Sequence, residues 1–196
     1  MRLPEFNDLA NTKFLRVLVI MVIITLVICP VADREYLICY KQSDKKWGSI
    51  KFSGGTIGHD GCGLTCLAMI EANLHNEKYT PADAAAEYNA WRPSQSQTGT
   101  SSEFVKYFCK EHEFVIKGTD KNKAAEQLQD GGFVLVLLKP GSKWSSVGHY
   151  ILLYGFDGFD DDEFKVMDPN STKSKYKTAS MDDLRYASQM YYINRR

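Results

Sequence analysis

Residues 60–70 read Asp60-Gly61-Cys62-Gly63-Leu64-Thr65-Cys66-Leu67-Ala68-Met69-Ile70. Apolar residues recur at near-helical spacing from Leu64 onward, so this stretch predicts a helix that begins at or just after Cys62. The unpaired N–H groups and the dipole of a helix start favour a thiolate over a thiol. The flanking glycines leave room for a substrate backbone to approach the sulfur. The same pattern also fits a buried core cysteine, and the stretch alone does not decide between the two.

Two later segments supply polar partners for such a cysteine. In Gly148-His149-Tyr150-Ile151-Leu152-Leu153, a histidine opens an apolar run that is typical of a buried strand. In Phe164-Lys165-Val166-Met167-Asp168-Pro169, a short strand ends in an acid before a proline. A cysteine at a helix start, a histidine on a strand and an acid on the next strand match the nucleophile, base and orienting acid of a cysteine hydrolase. We therefore predict Cys62, His149 and Asp168 as a catalytic triad.

Four motifs occur in order along the chain: Gln42-Ser43-Asp44-Lys45-Lys46-Trp47-Gly48, Thr56-Ile57-Gly58-His59-Asp60-Gly61-Cys62-Gly63, Gly148-His149-Tyr150 and Met167-Asp168-Pro169. Together they resemble the C39-like family of papain-fold cysteine peptidases, from about Tyr40 to the C-terminus. The resemblance implies a papain-like α+β fold and a peptide or protein substrate, with no cofactor. It also implies that Gln42 is the amide donor of an oxyanion hole. Leu64 departs from the family, which commonly has proline there. Because proline at a first helical turn only pre-sets the backbone, the change removes no chemistry.

An apolar run spans residues 17–32 and ends at the charged residues 33–35. Its length lies between that of a signal-peptide core and that of a full membrane span. Cleavage after Cys29 or Ala32 would bring Pro30 close to the cleaved bond, which favours an uncleaved signal anchor over a cleaved signal peptide. We expect residues 1–34 to form a cytoplasmic tail and a membrane-spanning helix, and residues 35–196 to form a peptidase domain.

Positive charges precede this apolar run at Arg2, Lys13 and Arg16. They place the N-terminus in the cytoplasm and the peptidase domain outside the cell membrane. If the segment is instead cleaved, the domain is secreted.

The composition excludes several classes of function. Lys and Arg together equal Asp and Glu together at 24 each, so no basic field points to nucleic acid. The cysteines lack the paired Cys-x-x-Cys spacing of zinc sites and only four histidines are present, so we expect no metal centre. Cys39 could pair with Cys66 or Cys109 in an oxidising compartment, but spacing does not decide this.

Secondary structure is expected as helices first and an antiparallel run of strands afterwards, which is an α+β arrangement with a helical half packed on a sheet. The expected helices are 62–74, 80–91, one from 101, 122–128 and a short one from 181. The expected strands are 36–40, 114–116, 133–138, one from 149, 164–168 and 190–193. Residues 45–60 contain glycines and few apolar residues, so we expect a loop there.

Other polar residues compete for catalytic roles. His59 lies three positions before Cys62 and is a rival base, although no strand holds it. Asn170 could replace Asp168 as the residue that orients the imidazole. His75 and His112 have charged or polar neighbours in the sequence, so we expect them at the solvated surface.

Three functions fit these observations. The first is an extracytoplasmic cysteine peptidase that hydrolyses peptide bonds with the Cys62–His149–Asp168 triad and Gln42. The second is a peptidoglycan-cleaving endopeptidase or amidase with the same chemistry. The third, which we favour least because both Cys62 and His149 are present, is a non-catalytic surface module.

Overall fold

The computed structural model describes residues 36–91, 99–157, 163–171, 173 and 176–196. The expected cytoplasmic tail and membrane-spanning helix, residues 1–34, lie outside the described residues. Within the described ranges, no helix combines the length and the apolar character needed to cross a bilayer. These ranges form an α+β fold in which helices pack on an antiparallel sheet.

The described α-helices are, in chain order, α1 (Ile57–Asp60), α2 (Cys62–Leu74), α3 (Pro81–Trp91), α4 (Ser102–Glu111) and α5 (Lys121–Gln129). Polar side chains cap two of them. Ser101 accepts a hydrogen bond from the Phe104 N–H at the start of α4, and Asp120 does the same for the first turn of α5. The start of α2 at Cys62 agrees with the helical spacing of its apolar residues.

The strands form two sheets. A small hairpin pairs β1 (Lys51–Phe52) with β2 (Gly55–Thr56). The main sheet has six antiparallel strands in the order β3-β8-β4-β5-β6-β7. Their bounds are β3 (Phe114–Gly118), β4 (Phe133–Leu138), β5 (His149–Asp157), β6 (Glu163–Met167), β7 (Thr178–Ser180) and β8 (Ala187–Arg195). A 3-10 helix at Asp183–Tyr186 precedes β8.

The main sheet is covered on both faces, because alternate side chains of a strand point to opposite sides. Leu135 and Leu152 belong to one apolar cluster with Leu67 of α2. Val136 and Ile151 belong to a second cluster with α5. Helix α2 is buried from Gly63 to Ala72 because it packs against both α3 and the sheet. The position of its first residue is therefore determined by the core.

Three local expectations differ from the structure. Residues 36–40 form no strand, because the side chain of Asn73 on α2 satisfies both the N–H and the carbonyl of Ile38. The expected loop 45–60 contains the β1–β2 hairpin and α1. Strand β7 was not expected, since a run as short as Thr178–Ser180 carries little periodicity.

The register of β5 and β6 brings two distant parts of the sequence together. The strands are antiparallel, and Leu152 lies opposite Met167. The start of β5 therefore lies beside the end of β6. The Cys66 thiol of α2 also donates a hydrogen bond to the Tyr150 carbonyl over 3.8 Å, which holds α2 against the same end of β5.

Candidate active site

Cys62 is the first residue of α2 and is partly exposed. The glycines beside it make room for the protein's own atoms rather than for a substrate. A β-carbon on Gly61 would lie 2.5 Å from the Ile57 carbonyl oxygen, and one on Gly63 would lie 2.7 Å from Cδ2 of Tyr150. These glycines were expected to leave room for a substrate. They instead allow α1 and β5 to pack closely against the start of α2.

His149 and Asp168 form a buried pair at the adjacent ends of β5 and β6. Each is 4% exposed, and His149 Nε2 lies 2.8 Å from Asp168 Oδ1. The same carboxylate oxygen accepts a hydrogen bond from the Asn170 N–H at 2.9 Å. Because an ionised carboxylate only accepts hydrogen bonds, Nε2 of His149 carries the proton in this pair.

The other partner of His149 is Cys62, through a side-chain hydrogen bond. Since Nε2 is engaged by Asp168, Nδ1 is the ring nitrogen left for the sulfur. Burial alone lowers the pKa of His149, but the hydrogen bonds to Asp168 and Cys62 outweigh it and raise the pKa to about 9. At neutral pH His149 is therefore an imidazolium between a carboxylate and the Cys62 sulfur.

Gln42 is 4% exposed and lines the same cleft as Cys62. Its Nε2 donates to the Gly58 carbonyl at 3.1 Å and, over a longer 3.4 Å, to the His59 carbonyl. Its Oε1 is buried and has no hydrogen-bond partner among the described residues. The side chain is thus held by the loop that precedes Cys62, with one strong and one weak donor contact.

The two rival residues lie in less suitable places. The His59 side chain is 86% exposed, and its Nδ1 is paired with Asp60 Oδ1 at 2.9 Å. Asn170 is exposed, and its backbone N–H, not its side chain, contacts Asp168. The geometry therefore favours His149 over His59 as the partner of Cys62, and Asp168 over Asn170 as the partner of His149.

The cleft around Cys62 has a volume of about 470 Å³. Residues from both the helical half and the sheet line it: Gln42, His59, Asp60, Cys62, Gly99, Thr100, Leu137, Ser145, Val147, Gly148, His149, Tyr150 and Asn170. No lysine or arginine is among them. The arrangement can therefore bring an acyl carbon to the Cys62 sulfur with an imidazolium and amide donors nearby, which is the arrangement that acyl transfer requires.

A comparison of the sequence with protein families decides the classification. The model of the Peptidase_C39 like family matches residues 36–195. The chain belongs to this C39-like peptidase family. No curated protein sequence matches the chain significantly.

Solved structures similar to this C39-like chain include a protein from Bacillus anthracis described as a C39-like peptidase. That match has 14% identity and a TM-score of 0.54, and it covers 80% of this chain and 94% of the other. At this identity the similarity shows the fold. The peptidase domain of Streptococcus ComA, an ABC transporter, is also similar, with 17% identity and a TM-score of 0.46 over 69% of this chain and 91% of that domain.

The sequence did not single out two residues that line the cleft of this C39-like chain. Thr100 lies against the start of α2, with its Cβ 2.8 Å from the position of a β-carbon on Gly63. Val147 is 64% exposed and lies just before the Gly148-His149 motif. An apolar residue beside the histidine motif was the available signal for Val147.

The histidines expected at the surface belong in part to an internal network. The His112 side chain is only 14% exposed and lies 3.0 Å from carboxylate oxygens of both Glu71 and Glu87. His75 is more exposed and lies 3.4 Å from Glu71. The expectation for His112 was wrong because its partners come from α2 and α3, far away in the sequence.

The remaining thiols do not compete for the site. Cys39, Cys62, Cys66 and Cys109 are all free thiols. Burial raises the pKa of Cys66 far above its ordinary value, and burial raises that of Cys109 to about 12. The described part of the chain contains no group of three or more His, Cys, Asp or Glu residues placed to hold a metal ion.

Proposed function

We propose that the chain is an extracytoplasmic cysteine peptidase that hydrolyses peptide bonds. The observation that carries this proposal is the hydrogen-bonded sequence from Cys62 through His149 to Asp168. Cys62 and His149 both line one open cleft, so a peptide can reach them. Membership of the C39-like family supports the reaction class.

In the first half of the reaction, the Cys62 sulfur attacks the carbonyl carbon of the substrate. A C–S bond forms, and the carbonyl π electrons move to the oxygen. His149 then gives its Nδ1 proton to the departing nitrogen as the C–N bond breaks, which leaves a thioester on Cys62. Asp168 keeps its hydrogen bond to Nε2, so the ring holds its orientation while its charge changes.

In the second half, a water molecule attacks the thioester carbon while the neutral His149 removes one of its protons. The C–S bond then breaks, and the acid product leaves. Cys62 and the protonated His149 are restored, so the cycle needs no external co-reactant.

Gln42 and the backbone of Cys62 are the proposed donors to the oxyanion. The first N–H groups of a helix have no partner within the helix, and Cys62 is the first residue of α2. Gln42 has a weak second contact, the 3.4 Å one to the His59 carbonyl. We assign the N–H group of this weak contact to the oxyanion. Giving up the 3.4 Å contact costs less free energy than giving up the 3.1 Å hydrogen bond to the Gly58 carbonyl.

The location of the domain is the second part of the proposal and rests on the sequence of residues 17–32. An uncleaved apolar anchor after positive charges would hold the chain in the cell membrane with residues 35–196 outside. This is tested by membrane fractionation and by external protease treatment of intact cells. A soluble product in the medium that begins near residue 33 would show a cleaved signal, and protection from external protease would contradict the outside location.

The catalytic part is tested by product analysis. The chain and its Cys62→Ala variant are incubated with a peptide library and, separately, with muropeptides, and the products are identified by mass spectrometry. Cleavage of library peptides by the wild-type chain but not by Cys62→Ala supports the proposal. Cleavage of muropeptides without cleavage of library peptides would instead indicate that the substrate is cell-wall peptidoglycan. An equal absence of products from the chain and the variant would contradict it.

A further inference from the structure

The segment that carries Gln42 is attached to the rest of the protein in an unusual way. Residues 37–40 belong to neither sheet. Asn73 of α2 instead binds Ile38 through two hydrogen bonds, donating to its carbonyl at 2.8 Å and accepting from its N–H at 2.9 Å. The segment is therefore fixed to the helical half at Ile38. This contact does not fix the other end of the segment, at Lys41 and Gln42.

Lys41 supplies that attachment to the sheet half. Its ammonium group donates to the backbone carbonyls of both Asp168 and Ser171. Two neighbouring bonds run in the same region: the Gln42 N–H donates to the Pro169 carbonyl at 2.9 Å, and the Trp47 indole N–H donates to the Lys41 carbonyl at 2.7 Å. The Lys41–Gln42 dipeptide is thus bonded to the turn that follows β6.

Residue Asp168 has its backbone and its side chain held by different partners. Its carbonyl accepts from the Lys41 ammonium, while its carboxylate accepts from His149 and from the Asn170 N–H. A hydrogen bond from a charged donor to a carbonyl is stronger than one from a neutral donor. Because the carbonyl and the carboxylate share one Cα, holding the first restricts the position of the second.

We propose that Lys41 is a positioning residue for the active site, which holds the Asp168 turn and Gln42 in register across the cleft. This inference rests on the proposed function. Lys41 does not contact the reacting atoms, since it lies outside the cleft lining and its described bonds go to backbone carbonyls. It acts through the orientation of Asp168, and hence of His149.

A simpler role for Lys41 is general stabilisation of a surface turn. The two roles differ in what they predict for His149. If Lys41 only stabilises the fold, its loss lowers the melting temperature and leaves the folded site unchanged. If it positions Asp168, its loss weakens the carboxylate–imidazole hydrogen bond. Because that hydrogen bond raises the pKa of His149 in the native site, the loss of Lys41 lowers the pKa of His149. The titration of His149 therefore separates the two roles.

The test compares three variants of the full chain. Lys41→Met removes the ammonium and keeps the aliphatic length, and Lys41→Arg restores a charged donor. The matched control is Lys121→Met, because the Lys121 ammonium also donates to a backbone carbonyl, that of Met181 at 3.4 Å, away from the cleft. If Lys41→Met does not fold, Lys41→Gln serves in its place, since its amide is too short to reach both carbonyls.

Two measurements are made on each folded variant: the His149 titration by NMR, and kcat and KM on a cleaved peptide. For Lys41→Met we expect the His149 midpoint to fall by roughly 1 pH unit and kcat to fall about tenfold with KM nearly unchanged. Lys41→Arg should recover most of both, and Lys121→Met should match the wild type.

An unchanged His149 midpoint and an unchanged kcat in Lys41→Met would overturn the inference, as would equal effects in Lys121→Met. The NMR titration does not depend on turnover. If the wild type cleaves no peptide but the His149 titration midpoint is still lower in Lys41→Met than in the wild type, the proposed function fails and the positioning role of Lys41 stands.

Discussion

Gly63 lies directly against the ring of Tyr150, so that a β-carbon on Gly63 would come within 2.7 Å of Cδ2. Contacts below about 3 Å force atoms to move, and Tyr150 is the neighbour of His149 on β5. We expect Gly63→Ala to lower the free energy of unfolding by about 1–3 kcal/mol. Because it shifts the Cys62–His149 alignment, kcat should also fall by roughly 10- to 100-fold. Denaturant unfolding and steady-state kinetics measure both effects.

The matched control for this substitution is Gly118→Ala. Gly118 ends β3, and a β-carbon there meets no atom within 4 Å. This variant should retain wild-type kinetics. A Gly63→Ala enzyme with unchanged kcat and stability would contradict the packing argument.

Iodoacetamide should modify Cys62 much faster than Cys66 or Cys109. Cys62 is partly exposed and hydrogen-bonded to His149, so the reagent can reach a sulfur that has a base beside it. Cys66 and Cys109 are buried, and burial raises the pKa of both thiols. Peptide mapping after timed labelling measures the rates. His149→Ala should slow only the Cys62 reaction, whereas equal rates for the three cysteines would remove Cys62 as nucleophile.

Gln42→Ala should lower kcat by about 100- to 1,000-fold with little change in KM, because it removes one of two proposed oxyanion donors. Alkylation of Cys62 by iodoacetamide should remain, since that reaction forms no tetrahedral oxyanion. Steady-state kinetics and labelling are compared on the same preparation. Loss of alkylation together with turnover would mean that Gln42 supports the fold of the loop rather than the oxyanion.

The other site variants should fall in a defined order. Cys62→Ala should abolish turnover, and His149→Ala should come close to it because the leaving nitrogen then lacks its acid. Asp168→Ala should lose less, since Asp168 orients the ring without entering bond changes. His59→Ala should be nearly normal because His59 is exposed and paired with Asp60. An inactive His59→Ala beside an active His149→Ala would falsify the assignment of the base.

Stability should depend on pH through His112, which joins α2 and α3 to the end of α4 through Glu71 and Glu87. Burial lowers the pKa of His112, but the bond to Glu87 and the charge of Glu71 outweigh it and raise that pKa. Burial raises the pKa of Glu87, but its bonds to His112 and Tyr79 outweigh it and lower that pKa. The stabilisation is therefore complete above the ordinary pKa of Glu, about 4.3, and below that of His, about 6.5.

The stabilisation is lost as pH rises through the raised pKa of His112, or falls through the lowered pKa of Glu87. We expect His112→Gln to lower Tm by roughly 4 °C at pH 6 and by less at pH 9. His149, whose raised pKa gives the same direction of pH dependence, remains in both proteins and cancels in the comparison. His75→Gln is the control because His75 is more exposed and farther from Glu71. A pH-independent difference for His112→Gln would contradict the ionic role.

Local sequence patterns predicted the parts of the fold that depend on periodicity. The start of α2 at Cys62 and the strand that His149 opens follow from apolar spacing, and both are present. The pairing of His149 with Asp168 was predicted from residue type and strand order, but the register of β5 and β6 that places the two side chains together is visible only in the structure.

The expectations that failed involve partners that are distant in the sequence. The apolar residues 36–40 predicted a strand, but Asn73 occupies the backbone groups of Ile38. His112 has acidic sequence neighbours that suggested the surface, whereas Glu71 and Glu87 meet it inside the helical half. In both cases a neighbour that is distant in the sequence determines the environment, and the local pattern of apolar and charged residues does not show which distant residue that is.

The antiparallel pairing of β5 and β6 has a further consequence for protein engineering. His149 opens β5 and Asp168 follows β6, so the other ends of the two strands, at Asp157 and Glu163, lie far from the imidazole–carboxylate pair. At about 3.3 Å per residue, the nine residues of β5 separate Asp157 from His149 by roughly 25 Å. A fluorophore or an affinity tag attached at Glu163 should therefore leave the ring and the carboxylate in register.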